Sequence, residues 1–223
     1  MSRTGYAGQR GTMHLNQNRS PFEIEAILNR CSAKGIEQTV QGAKFICPLP
    51  KIGPLAFLHC LFAPCTASQL EDVRDLFGFG LPDEYESFLK LSNGASLFRD
   101  AVSIYGIGGN FSRGLSLSDQ AAFSLVDMHE RFRLSQSLDW SLGWRPVGFI
   151  AALQQSYLTL NAKGVFRLRY GVGRERQWGS FYNVLFECVH VADEHFDCDG
   201  YIGSDYSSLE ESFAALLNSE FRQ

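Results

Sequence analysis

The stretch Leu81-Pro82-Asp83-Glu84-Tyr85-Glu86-Ser87-Phe88-Leu89-Lys90-Leu91-Ser92-Asn93-Gly94 constrains this chain most, because it carries both ends of a short helix. Proline suits the first helical position, where a missing N–H costs nothing. Asp83 and Glu84 then place negative charge at the positive end of the helix dipole. Leu81, Tyr85, Phe88 and Leu89 follow at i, i+4, i+7 and i+8, one apolar stripe. Asn93-Gly94 offers the left-handed residue that closes many helices. Spacing alone makes this a core helix, with Phe88 expected to be buried against a closing helix near Phe213.

On either side the chain alternates helical and strand patterns. Ser20-Pro21-Phe22-Glu23 opens a helix with a cap and a capping-box glutamate, and Gly35 ends it. Runs at 44–49 and 55–62 read as a hairpin, with Pro48, Pro50 and Pro64 arguing for the sheet edge. Ser68-Gln69-Leu70-Glu71 repeats the capping-box pattern before a second helix. A strand is expected over 101–105, a glycine-rich loop over 106–114, and a helix from about Asp119 to Leu134. Beyond it, 145–151 alternates, and 157–160 joined to 165–170 through Asn161-Ala162-Lys163-Gly164 is the clearest hairpin signal. The segment 171–180 reads as a connection. Residues 181–191 are apolar on both faces and read as a central strand. A last helix begins near Ser208, with Leu209, Phe213, Leu216 and Leu217 as its stripe.

The order of these elements resembles the SUKH superfamily, which unites bacterial toxin-immunity proteins with eukaryotic regulators of cell-wall synthesis. The signature is a Leu-Pro before a helix that carries an aromatic and ends in Asn-Gly, here Leu81, Pro82, Tyr85, Phe88, Asn93 and Gly94. Ile104-Tyr105, Arg145-Pro146-Val147-Gly148-Phe149, the hairpin at 156–168 and Ser212-Phe213 match the elements that follow. The resemblance implies an α+β fold: a curved, mostly antiparallel sheet with helices packed on one face. The resemblance covers roughly Thr66 to Asn218 and gives the first sixty-five residues no counterpart, so the chain is read as three parts: a polar, glycine-rich flexible leader over 1–19, a helix–hairpin extension over 20–65, and the SUKH-like domain over 66–223. The resemblance also implies a binding function without catalysis, an immunity protein that meets a cognate toxin, in such families commonly a nuclease, by direct contact. The alternative is a regulatory scaffold that binds a host protein.

No catalytic set is visible: the five histidines stand in no nucleophile-elbow pattern. Gly106-Ile107-Gly108-Gly109-Asn110 lacks the lysine and serine or threonine of a phosphate loop. Cys188-x-His190 and His195-x-x-Cys198 could supply four zinc ligands, with Cys188 and His190 on one strand face, but the spacing is not that of a zinc motif and no metal or cofactor is expected. Trp140 and Trp144 read as core aromatics.

Charge is more informative. The net charge of −4 gives no basic footprint for nucleic acid, and no apolar run approaches the length needed to span a bilayer. From Glu187 to Glu211 there are acids and no lysine or arginine, whereas Lys163 to Arg176 is basic. The acidic run, above all Asp193, Glu194, Asp197, Asp199 and Asp205, is the expected partner surface, since carboxylates steer a cationic toxin. The six cysteines, with no secretory segment at the start of the sequence, point to reduced thiols and a cytoplasmic location.

Overall fold

The computed structural model describes residues 19–108, 122–135, 138–153, 156–171, 174–203 and 205–218. The expected leader up to residue 18, most of the glycine-rich loop and residues 119–121 of the helix expected from Asp119 lie outside these residues; residues 122–124 are described and are not helical, so that helix begins at Leu125, capped by Ser124. The helices are α1 (Pro21–Leu28), α2 (Ala67–Phe77), α3 (Asp83–Leu91), α4 (Leu125–Leu134), α5 (Leu138–Ser141), α6 (Phe181–Asp193) and α7 (Tyr206–Asn218). The strands are β1 (Ile36–Gln38), β2 (Lys44–Pro48), β3 (Phe57–Leu61), β4 (Ala95–Leu97), β5 (Val102–Ile104), β6 (Arg145–Ile150), β7 (Tyr157–Leu160), β8 (Phe166–Tyr170) and β9 (Arg174–Trp178). They form one antiparallel sheet in chain order, so the fold is α+β.

Register carries a single row of side chains across six strands: Ile36, Ile46, His59, Leu97, Val102 and Ile150. All but Ile36 are buried, and the apolar ones share one core with Val184, Leu185, Cys188 and Val189 of α6. The hairpin at 44–61 is therefore flanked on both sides. Its prolines do not put it at the edge; β1 takes that place, and Pro48 closes the pairing of β2 with β3 at Phe57. The connection expected over 171–180 contains β9, the opposite edge.

The largest correction concerns residues 181–191, which are helix and not strand. Phe181, Val184, Leu185, Cys188, Val189 and Ala192 recur at i, i+3, i+4, i+7, i+8 and i+11 and are all buried. Ser180 caps the start by accepting from Asn183 N–H at 3.2 Å. Glu84 of α3 reinforces it, accepting from Ser180 Oγ at 2.7 Å and from Tyr182 N–H at 3.2 Å. The helix is apolar on most of its surface because it is central, packed on α1, α3, α7, β5 and β9.

Alternation in β8 divides the helical cover. Phe166 faces Tyr85 of α3 and Phe181 of α6, 6.1 and 5.4 Å between ring centres, and Tyr170 donates to Glu210 of α7 at 2.6 Å. Arg167 and Arg169 turn to the other face and pair with Asp139 of α5 at 2.8 and 3.1 Å. Tyr157, opposite Arg169 in register, meets Phe132 of α4 at 4.6 Å. Helices thus lie on both faces, where one covered face was expected. The capping box of α2 also differs by two residues: Thr66 and Gln69 exchange the bonds, at 2.9 and 3.2 Å.

Candidate functional site

The segment between α6 and α7 holds most of the acids expected to meet a partner. Its shape follows from a few local bonds. Asp197 Oδ1 accepts from the N–H groups of Asp199 and Tyr201, both at 2.9 Å, and Asp197 N–H donates to Tyr201 O at 3.0 Å. Phe196 pairs with Ile202 as an antiparallel bridge, so the turn is narrow. Gly200 sits at φ +74°, and a Cβ there would come within 2.6 Å of Leu49 Cδ1. Only glycine satisfies both the left-handed backbone and that approach.

Residues from the first part of the chain hold this segment in place. A disulfide joins Cys31 to Cys198, with Cα atoms 5.3 Å apart and 167 residues between them in sequence. This corrects the expectation that all six thiols are free; Cys47, Cys60, Cys65 and Cys188 are. Arg30 pairs with Asp193 at 2.8 Å and donates to Phe196 O at 2.8 Å. Lys34 pairs with Asp199 at 2.7 Å. Cys47 Sγ lies 3.1 Å from Cys198 O, and Arg99 donates to Gly200 O at 2.7 Å.

Arg99 stands in an unusual turn. Phe98, Arg99 and Asp100 all adopt left-handed backbone, φ 51°, 55° and 70°. Such conformations cost about 1–3 kcal/mol each unless their surroundings impose them. Here Phe98 N–H donates to Nδ1 of buried His59 at 3.3 Å, Ser96 Oγ bonds Asp100, and the Phe98 ring packs on His59 and Phe196.

The acids are not equivalent. Asp193 is mostly buried against Arg30. Glu194 is largely exposed, 3.5 Å from His190. Asp197 is exposed but its carboxylate organises the turn. Asp199 is half exposed, and the hydrogen-bonded Lys34 ammonium holds its carboxyl below the usual range. Asp205 lies at the start of α7, where hydrogen bonds from Ser207 Oγ and then Ser208 N–H lower its pKa. Glu187, at the head of the acidic run, pairs with Arg176 at 2.8 Å and accepts from Trp178. The basic run is likewise partly internal: Arg167 is buried, stacked 4.0 Å over Trp144, and Arg169 and Arg176 are partly buried, while Lys163 and Arg174 are exposed. The two opposite charge runs are therefore in good part partners of other side chains, not free patches.

Two residues that charge reading passed over share this surface. Tyr201 and Tyr206 are about half exposed, 47% and 51%, beside the acids. Their signal in the sequence is a pair of tyrosines, one in the turn and one opening α7, among Gly and Ser residues, the small polar neighbours that accompany tyrosine in antibody paratopes.

The signature residues are structural. Leu81, Tyr85 and Phe88 are buried, and Phe88 packs on Phe181 of α6 at 5.0 Å, so its aromatic neighbour is α6 where the last helix was expected. Pro82 caps α3 instead of occupying its first position. Asn93-Gly94 does more than end the helix: the Asn93 amide clamps Ile107, donating to its O at 2.6 Å and accepting from its N–H at 2.7 Å. A Cβ at Gly94, φ +83°, would meet Ala122 Cβ at 2.4 Å and Ile104 O at 2.7 Å. The four considered zinc ligands do not act together, since Cys188 is in the core of α6 and Cys198 is in the disulfide. Among the described residues no group of three or more His, Cys, Asp or Glu could hold a metal ion, and no helix is long and apolar enough to cross a membrane.

No curated protein matches the chain. The model of the SMI1 / KNR4 family (SUKH-1) matches residues 64–218, from two residues before the Thr66 cap of α2 to the end of α7. The signature residues at 81–94, the strands β4 to β9 and both long C-terminal helices all fall inside that match, and the chain belongs to the SMI1 / KNR4 family (SUKH-1).

Proposed function

We propose that this protein is a non-catalytic immunity protein that neutralises a cognate bacterial toxin by direct contact in the cytoplasm, through the surface between α6 and α7. The single observation that carries the reading is membership of the SMI1 / KNR4 family (SUKH-1), a family of toxin-immunity and SMI1/KNR4-like roles. Glu194, Asp197, Asp199 and Asp205 would supply negative potential, and Tyr201 and Tyr206 the aromatic anchors. Aromatic residues at the centre of an interface carry most of its affinity, while rim charges set the association rate. Asp193 would act indirectly, by holding Arg30. The regulatory-scaffold alternative uses the same surface with a different partner.

Identification of the protein that co-purifies with the tagged chain separates the two readings; a secreted or contact-delivered toxin is expected. With that partner in hand, Glu194→Gln with Asp199→Asn should slow association by about tenfold at low salt and much less at high salt. Tyr201→Ala should speed dissociation. If both variants stay folded and bind with unchanged rates at both salt concentrations, this surface is not the interface. A partner that is a resident host regulator removes the immunity reading.

A further inference from the structure

Three cysteines meet where the first part of the chain touches the acidic segment. Cys31 and Cys198 are bonded, and Cys47 is fully buried with its thiol on the carbonyl of Cys198 itself. Cys47 is also held at φ 61°, with its N–H donating to Gly35 O at 2.9 Å, so the backbone positions its thiol against that carbonyl. Cys198 is partly exposed, whereas Cys31 is almost wholly buried, so a reductant has access from the Cys198 side. In reducing compartments disulfides are mostly transient, catalytic or redox-sensing, and purely structural ones are rare.

We propose that Cys31, Cys47 and Cys198 form a redox latch that locks the segment between α6 and α7 onto the N-terminal helix and strands. In the oxidised form the disulfide closes the latch. A dithiol reductant opens it: two electrons and two protons pass from the reductant to the protein disulfide, leaving Cys31 and Cys198 as thiols and the reductant as its own disulfide. Cys47 allows the cross-link to migrate without an external agent, which leaves the segment tied to β2 in place of Cys31. The Cys47 thiolate attacks Cys198 Sγ, the bond to Cys31 breaks, and the Cys31 sulfur takes the proton that Cys47 released. Burial pushes the Cys47 thiol up, the nearby Asp199 and Asp197 carboxylates add to that shift, and the Lys34 ammonium opposes it. With the latch open, only non-covalent bonds hold the turn: those of Arg30, Lys34 and Arg99 to Asp193, Phe196, Asp199 and Gly200. The latch rests on the cysteines alone and does not depend on what the acidic segment binds.

The test uses the full chain purified without reductant and equilibrated with oxidised glutathione. Denaturing alkylation with N-ethylmaleimide should add four groups before dithiothreitol and six after it, and peptide mapping should recover Cys31 linked to Cys198. Hydrogen exchange at 195–203 should quicken at least tenfold on reduction, with β7 and β8 unchanged. In oxidised Cys31→Ser, Cys47 and Cys198 should link, leaving three alkylated thiols. Six groups added to the oxidised protein, or exchange at 195–203 that reduction does not alter, overturns the latch. Five groups added to Cys31→Ser removes Cys47 from it.

Discussion

Phe88 shows how much rests on one side chain. It is buried between α3 and α6, against Phe181, which in turn touches Tyr85 and Phe166. Phe88→Ala should cost ~3–5 kcal/mol, read by urea unfolding, because neighbours fixed in helices cannot collapse into the space. Two buried histidines make a different demand. Burial lowers His59 to about 3 and His129 to about 4, and each is neutral in the fold. His59 Nδ1 must accept from Phe98 N–H, and His129 Nε2–H faces Pro146 O at 3.1 Å. An unfolded histidine titrates near 6.5, so between about pH 4 and 6.5 the unfolded chain binds more protons than the folded one. Stability is therefore full above pH 6.5 and falls with acidification, by roughly 3–4 kcal/mol at pH 5 for the pair. Urea unfolding at pH 7 and pH 5 checks this; in His129→Gln about half the pH dependence should remain.

At the scale of elements, α6 carries the main lesson. Its valines and phenylalanines resemble a buried strand when read as a run, yet the spacing of its buried positions is helical and Ser180 provides the cap. A helix surrounded on most sides loses the polar face that usually reveals it. The capping carboxylate of Glu84 comes from α3, 96 residues earlier, and no local reading could supply it. Glu84→Ala leaves Ser180 Oγ and Tyr182 N–H without that acceptor and should destabilise the protein by about 1–3 kcal/mol. Glu84→Gln, which keeps an acceptor oxygen, should recover part of the loss in the same thermal or urea unfolding measurement. By contrast α3, α4, α7 and the β7–β8 hairpin were legible, because a stripe, a cap or a tight turn lies within a few residues of itself.

At the scale of the molecule, the family match begins at residue 64, but the sheet and core do not. Strand β3 pairs along β4, α1 packs on α6, and Ile24, Leu28, Ile46 and Leu58 belong to the main core. A fragment of residues 64–218 would expose the edge of β4 and lose those side chains, so it should show no cooperative thermal transition or should aggregate. A sharp transition near that of the full chain would mean that the segment before it is dispensable. The sequence alone determined the α+β class, the capped helices, the C-terminal hairpin and the family signature, since each depends on residues that neighbour one another along the chain. Only the tertiary structure decided that residues 36–61 continue the same sheet, that Cys31 finds Cys198, and that Asp193 and Asp199 already face Arg30 and Lys34. The disulfide and the two ion pairs join residues more than 150 positions apart, and a charge or a thiol carries no local mark of a partner that only folding brings beside it.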